Sequence, residues 1–172
     1  MSHEPEVDSF GAAERCLATT SERLPGFPQE RARIARLIAH IQRGMEQSSS
    51  RTLKPYGLNY SAYNALMMLY GAPDFCSSPS ELSEATGEKR TNITRICDEL
   101  LAQGFIGRHQ SQEDRRKVVL QLSQKGRDTL EAVQPHMWAA LDRLYASFKH
   151  EDMQQFRRLL TMQLGNMERG EE

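Results

Sequence analysis

From Gln29 onward, apolar residues recur with a helical period. Ile34, Leu37, Ile38, Ile41 and Met45 fall on one face, as an amphipathic helix requires. Arg31, Arg33, Arg36, Gln42 and Arg43 lie mostly outside that stripe. The run Ser48-Ser-Ser is expected to loosen the helix, and Lys54-Pro-Tyr-Gly to end it. A second helix is predicted over 61–70, with Ser61 as its N-cap and Tyr63, Leu66, Met67 and Tyr70 as its buried stripe. Ahead of these, residues 1–27 read as an extension. It holds a short helix around 9–20, followed by the break Leu-Pro-Gly-Phe-Pro.

Ser78 is followed three residues later by Glu81, with Pro79 between them. This is a capping box, with proline at the first helical position, where its missing N–H costs nothing. The short helix stops at Gly87, and another opens within three residues. Ile93, Ile96, Cys97, Leu100 and Leu101 form its apolar stripe, and Gly104 is placed to end it. The period then changes from helical to alternating. Residues 105–110 and 117–122 are predicted to be two strands of a β-hairpin, with 111–116 as a polar turn. Helical spacing returns from Ser123. Leu130, Val133, Met137, Leu141, Leu144 and Phe148 make a long stripe, with a kink expected at Pro135. A last helix, about 151–168, carries Met153, Phe156, Leu160, Leu164 and Met167.

The predicted fold class is therefore mainly α with a small β-hairpin wing: a winged helix-turn-helix plus a helical region. The expected organisation is an N-terminal extension (1–27), a winged helix-turn-helix domain (61–123), and a helical region formed by 28–60 and 124–172. A chain of 172 residues fits one domain of ordinary size with appended elements.

Charge changes this picture more than composition does. The whole chain carries −1, which gives no hint of nucleic acid. Residues 88–127, however, hold nine Lys/Arg and five acids, a local +4 that leaves −5 for the rest. The longest run free of charged and strongly polar residues, 65–73, is far below the roughly 20 residues of a membrane-spanning helix. The N-terminus is acidic with no apolar core behind it, so no signal peptide is expected and a cytoplasmic protein is the default. Cys16, Cys76 and Cys97 do not have zinc-finger or disulfide-framework spacing. No metal or cofactor is expected. There is no nucleophile elbow, no phosphate loop and no metal-spaced cluster, and the five His are scattered at 3, 40, 109, 136 and 150, so an enzyme is not expected.

The order short helix, turn, amphipathic helix, basic hairpin suits duplex DNA, because a helix fits the major groove. The outer face of the third helix in this series presents Thr91, Arg95, Asp98 and Ala102, flanked by Asn92 and Glu99. Arg can pair with guanine, Asn with adenine, and Thr can touch a thymine methyl. Lys89 and Arg90 sit where the helix dipole disfavours positive charge, a conflict that a nearby phosphate would resolve. Arg115, Arg116 and Lys117 at the hairpin tip are candidates for the minor groove. Ser78 and Ser80 stand at a helix start whose main-chain N–H groups could hold a phosphate. Each feature alone also fits a solvated surface, and a winged-helix protein–protein module remains open.

At these residues the chain resembles the MarR family of bacterial transcription regulators. Asp114-Arg-Arg-Lys-Val-Val-Leu-Gln-Leu-Ser-Gln-Lys-Gly126 matches the family wing pattern D-x-R-x-x-x-L-x-L-(T/S)-x-x-G at every fixed position. Residues 79–87 resemble the first helix of the helix-turn-helix, and 91–106 resemble the recognition helix and following strand. The resemblance spans about 30–168 and is most specific across 78–126. The run from Arg90 to Ile96 and the long extension look most like the EmrR-like branch of multidrug-efflux repressors. Two positions depart from the family pattern: Lys89 stands where many members have Ser, and Lys149 where the last helix is usually capped by Ser or Thr.

The resemblance implies a homodimer on a pseudo-palindromic duplex DNA operator, usually acting as a repressor. It also implies a small phenolic or lipophilic effector that releases the DNA. Arg36, His40, Tyr56, Tyr63 and Met67 lie on helices that usually line the family's pocket, though each also reads as a core or interface side chain. The residues themselves agree on dimerisation. The stripes at 34–45, 130–148 and 153–167 exceed what a compact wing domain can bury, and a two-fold in DNA asks for a two-fold in protein. The alternative is a thiol redox switch using Cys16 or Cys97. The peroxide-sensing route of the family is not expected, because 37–42 contains no Cys.

Overall fold

A computed structural model of the chain describes residues 8–110 and 118–170. The chain divides into two compact units, Met1–Val133 and Gln134–Glu172.

The extension does fold. After a 3-10 turn, Asp8–Phe10, helix α1 spans Gly11–Arg23 and packs along α2, Gln29–Leu53. Phe10 and Leu17 are each only 3% exposed. Arg33 Nη2 bonds Glu14 Oε2 at 2.8 Å across the two helices. The expected loosening at Ser48–Ser50 does not occur, and α2 runs through all three serines. The Thr52 hydroxyl folds back onto the Ser48 carbonyl at 3.3 Å, a bond that hydroxyl side chains can make without leaving the helix. None of the five stripe residues of α2 is buried; Ile34 is 52% and Ile41 46% exposed.

Helix α3, Tyr60–Gly71, starts one residue earlier than expected because Asn59, not Ser61, is its cap. Asn59 Oδ1 accepts from the Ala62 amide at 2.8 Å. The buried face is Ala62, Tyr63, Ala65, Leu66 and Leu69. Tyr70 is exposed and Met67 half-buried, so the stripe is rotated from the expected one. The two alanines, weak markers in an apolar pattern, carry the shift.

The capping box at the start of α4, Pro79–Thr86, forms in full. The Glu81 carboxylate accepts from the Ser78 amide at 2.7 Å, and Ser78 Oγ accepts from the Glu81 amide at 3.2 Å. Gly87 closes the helix at φ 69°, a left-handed conformation that glycine adopts without steric cost. Helix α5, Arg90–Ala102, buries Ile93, Ile96, Cys97 and Leu100, with Leu101 only half-buried.

Three strands follow a pattern that the alternation only partly foretold. β1 is Cys76–Ser77, β2 is Ile106–Gln110 and β3 is Val118–Leu122. The sheet order is β1-β3-β2, all antiparallel, with Ile106 opposite Leu122 and Cys76 opposite Gln121. Leu120 and Leu122 are buried, while Val118 is exposed. The expected tip of the hairpin, with Arg115, Arg116 and Lys117, lies outside the described residues.

Helix α6, Gln124–Leu144, begins at a tight junction. Ser123 Oγ accepts from the Gly126 amide at 3.0 Å and donates to the Gly104 carbonyl at 2.8 Å. A Cβ on Gly126 would lie 2.4 Å from the Phe105 carbonyl oxygen and 2.6 Å from Leu122 Cδ1. Pro135 is accommodated inside the helix. The helix ends at Leu144, so Phe148 lies beyond it, in a turn where its amide bonds the Tyr145 carbonyl at 2.9 Å. In the second unit, α7 spans His150–Arg169, and the Phe148 ring contacts both Tyr145 (5.6 Å) and Phe156 (5.8 Å). Lys149 offers no capping oxygen. Instead its amide donates to Asp152 Oδ2 at 2.9 Å, half of a capping box. No residue of α7 is buried, and Trp138 on α6 is 61% exposed.

The junction at Gly126 generates a stability prediction. Gly126→Ala should destabilise the fold by about 1–3 kcal/mol, because the methyl meets backbone and a buried leucine rather than a yielding side chain. Urea unfolding of the two proteins, compared at their midpoints, measures it.

Candidate nucleic-acid interface

The candidate surface is built on α5. Burial of Ile93, Ile96, Cys97 and Leu100 sets the rotation of the helix. The opposite side then has no choice but to face outward. Thr91, Arg95, Asp98 and Ala102 are all exposed, as their spacing predicts. Lys89 occupies the N-cap position without a side-chain cap bond, and both it and Arg90 are exposed. Two cations therefore border an uncapped helix start, where the local dipole is positive.

The side chains on this face are ordered by one another. Arg95 forms an ion pair with Glu99 through Nη1 and donates from Nη2 to Asn92 Oδ1 at 2.8 Å. Asn92 Nδ2 donates to Glu88 Oε2 at 2.6 Å. Glu88 Oε1 in turn accepts from the Ser61 hydroxyl of α3 at 2.8 Å. The turn that carries Glu88 is also fixed by its backbone. Its carbonyl accepts from Ser83 Oγ at 2.7 Å, and its amide donates to Thr86 Oγ1 at 3.3 Å. Further along the face, Arg108 on β2 pairs with Asp98 at 3.3 Å. Glu88 and Arg108 are thus part of the site's organisation, although sequence reasoning counted them only as charges. The Glu88–Asn92 spacing of four was a local signal that sequence reasoning missed, whereas the Ser61–Glu88 and Asp98–Arg108 contacts, 27 and 10 residues apart, carry none.

Ser78 is half-buried and engaged in its capping box, and Ser80, two residues on, is exposed. Both stand at the start of α4. The structure therefore brings Lys89, Arg90, Thr91, Asn92 and Arg95 together on one helix, with Ser78 and Ser80 on the helix before it.

The five candidate pocket residues are scattered over the first unit. Arg36 is exposed on α2. His40 is half-buried under the extension, hydrogen-bonded to Ser9 Oγ at 3.2 Å, with the Phe10 ring edge-on at 5.6 Å. The Tyr56 hydroxyl donates to the Ala132 carbonyl at 3.4 Å. Tyr63 is buried and Met67 half-buried. An open hollow of about 510 Å³ on α2 is lined by Glu46, Gln47, Ser50 and Arg51, none of them among the five.

The thiols differ in environment. Cys16 is exposed on α1, Cys76 is half-buried, and Cys97 is buried in the apolar stripe of α5. Burial pushes the Cys97 thiol above its ordinary value near 9.0. The Asp98 carboxylate adds to that rise, and the Arg108 guanidinium opposes it. Among the described residues no group of three or more His, Cys, Asp or Glu is placed to hold a metal, and no helix is long and apolar enough to cross a membrane.

Comparison with known proteins agrees with this architecture. The family model described as "MarR family" matches residues 56–117. The transcriptional repressor MprA of Escherichia coli is 35% identical over 163 residues, covering 93% of each chain. The fold matches AbsC, a MarR family transcriptional regulator from Streptomyces coelicolor, with a TM-score of 0.74 at 21% identity, over 86% of this chain and 98% of that one. It also matches a mutant of MarR from E. coli, complexed with operator DNA, with a TM-score of 0.71 at 20% identity, over 84% of this chain and 97% of that one.

The environment of Cys97 predicts its chemistry. A thiol whose pKa is raised in the folded state keeps its proton there to higher pH than in the unfolded chain. Its contribution to stability is therefore complete below pH 9 and lost as pH rises through the folded value. In the native protein at pH 8, a thiol-disulfide reagent should modify Cys16 at once and Cys97 only as fast as the domain opens, because the attacking species is the exposed thiolate. Comparable rates at the two positions would contradict this.

Proposed function

The chain belongs to the MarR family of transcription regulators, and on that premise we propose that it is a homodimeric repressor of a pseudo-palindromic operator in duplex DNA. The observation that carries this reading is the exposed face of α5, whose rotation is fixed by a buried stripe and whose start is flanked by two exposed cations. Such a helix reads base edges in the major groove through the residues near its N-terminus. Arg95 and Thr91 are the base-reading candidates. Lys89 and Arg90, with Ser78 and Ser80 at the start of α4, serve the phosphates on either side. The wing residues Arg115, Arg116 and Lys117 are assigned to the minor groove, where negative potential favours arginine. The MarR mutant named above was crystallised with operator DNA, and MprA is a repressor by name, which supports both partner and direction.

Dimerisation follows from what the chain leaves uncovered. Ile34 and Ile41 on α2, Trp138, Leu141 and Leu144 on α6, and Leu160, Leu164 and Met167 on α7 are all exposed large apolar residues. Large apolar residues left exposed along each of three helices mark surfaces that a partner covers. Residues 28–60 and 124–172 are therefore assigned to the dimer interface and 61–123 to DNA. A small lipophilic or phenolic effector that lowers DNA affinity belongs to the same reading, with Arg36, His40, Tyr56, Tyr63 and Met67 as its candidate contacts. The burial of Cys97 weighs against a redox switch at that residue.

Arg95→Ala and Arg116→Ala should each weaken operator binding by about 5- to 150-fold, the equivalent of ~1–3 kcal/mol for a lost base or groove contact. Both variants should stay folded and dimeric. Gel-shift titration with size-exclusion chromatography measures both properties, and unchanged affinity in both variants would overturn the reading.

A further inference from the structure

The hydrogen-bond chain behind Arg95 assigns Asn92 a role different from the one its residue type suggests. An asparagine that reads adenine must present a free N–H and a free carbonyl oxygen together. Here one N–H and one oxygen lone pair of the amide are engaged inside the protein, which fixes where the second N–H and lone pair can point. Nδ2 donates to Glu88 Oε2 at 2.6 Å, and Oδ1 accepts from Arg95 Nη2 at 2.8 Å. The orientation is not interchangeable. Turning the amide over would set its oxygen against the Glu88 carboxylate and its NH2 against the guanidinium, two repulsive contacts in place of two bonds.

Glu88 supplies the fixed end. Its other carboxylate oxygen accepts from Ser61 Oγ at 2.8 Å, and its backbone is held by Ser83 and Thr86. Ser61, Glu88 and Asn92 are all half-buried, whereas the Arg95 side chain is 56% exposed. A chain of bonds therefore runs outward from α3, through the turn of the helix-turn-helix, to a guanidinium on the recognition face. Arginine has five N–H donors. One goes to Asn92 and one to Glu99, which leaves three for DNA while restricting the plane in which they lie. Long side chains lose substantial rotamer freedom on binding. Tethering on both flanks meets part of that cost before the DNA arrives.

We propose that Glu88 and Asn92 are positioning residues that aim Arg95 at one guanine, and that Asn92 contacts no base itself. The proposal rests on the DNA-binding reading. It deepens that reading by making Arg95, set by the Ser61–Glu88–Asn92 chain, the source of one base preference.

The test uses the full-length chain and a random-sequence duplex library, because selection from such a library works whatever the operator sequence is. Wild type, Arg95→Ala, Asn92→Ala, Glu88→Ala and Glu88→Gln are each selected, and base preferences are compared position by position. Affinity for poly(dI-dC) and thermal midpoints are measured in parallel. Arg95→Ala should relax preference at one G·C pair in each half-site by about 5-fold or more. Asn92→Ala and Glu88→Ala should relax that same pair and no other. In an Arg95→Ala background neither should have a further effect. Glu88→Gln retains an oxygen for the Asn92 amide and should keep most of the preference.

Relaxation of a different pair by Asn92→Ala would show that Asn92 reads a base, and would overturn the proposal. So would an even loss across all positions and on poly(dI-dC), or effects that persist without Arg95; either is the mark of a merely structural role. If the wild-type chain enriches no sequence at all, the DNA-binding reading fails with it, an outcome distinct from the others.

Discussion

The burial of one stripe of α5 is the constraint on which the rest depends. Ile93, Ile96, Cys97 and Leu100 are each no more than 1% exposed. They pack in the space shared with α3, α4 and β2. That stripe fixes the helix in rotation, so the polar residues between its members have one direction left to face. Breaking it would cost more than stability, because Arg95 and Thr91 would no longer be held facing outward. Cys97 illustrates the point: its sulfur serves as a small apolar group in a packed core, and the same burial raises its pKa.

Around this stripe the secondary structure is assembled from short-range devices. The Ser78–Glu81 box starts α4, Gly87 and Gly104 end α4 and α5 with positive φ, and Ser123 ties the end of the hairpin to the start of α6. Gly126 is the tightest of these points, since no side chain fits between it and the Phe105 carbonyl. The family wing pattern ends on that glycine, and the close approach supplies a physical reason for the residue. Charge is distributed in keeping with the proposed division of labour. The +4 of residues 88–127 lies along the helix start and wing, while the remainder of the chain is acidic. Binding of such a protein to non-specific DNA should be weak and salt-sensitive, so base readout has to supply much of the useful affinity.

Much of this was legible in the residues. Local periodicity and capping signals placed α4 and α5 within a residue or two, and the buried set of α5 differs from expectation only at Leu101. What was not legible depends on contacts distant in sequence. β1 is two residues long, too short to show a period, and exists only because Cys76 and Ser77 pair with Gln121 and Leu120. Asn59 rather than Ser61 caps α3, and Ser61 is occupied instead by Glu88, 27 residues on. The three serines of α2 looked like a weak point because serine prefers turns, yet the helix extends through them to a buried Leu53. Conversely, the apolar stripes of α2 and α7 were legible, but the chain alone does not bury them.

Hydroxyl-radical footprinting of the full-length chain on a duplex selected from random sequence bears most directly on whether α5 reads DNA as one of a symmetric pair. A homodimeric recognition-helix reader should protect two half-sites related by a dyad, centred about one helical turn or roughly 10 base pairs apart, with flanking minor-groove protection from the wings. A single asymmetric patch, or no protection at concentrations that shift the duplex, would contradict it.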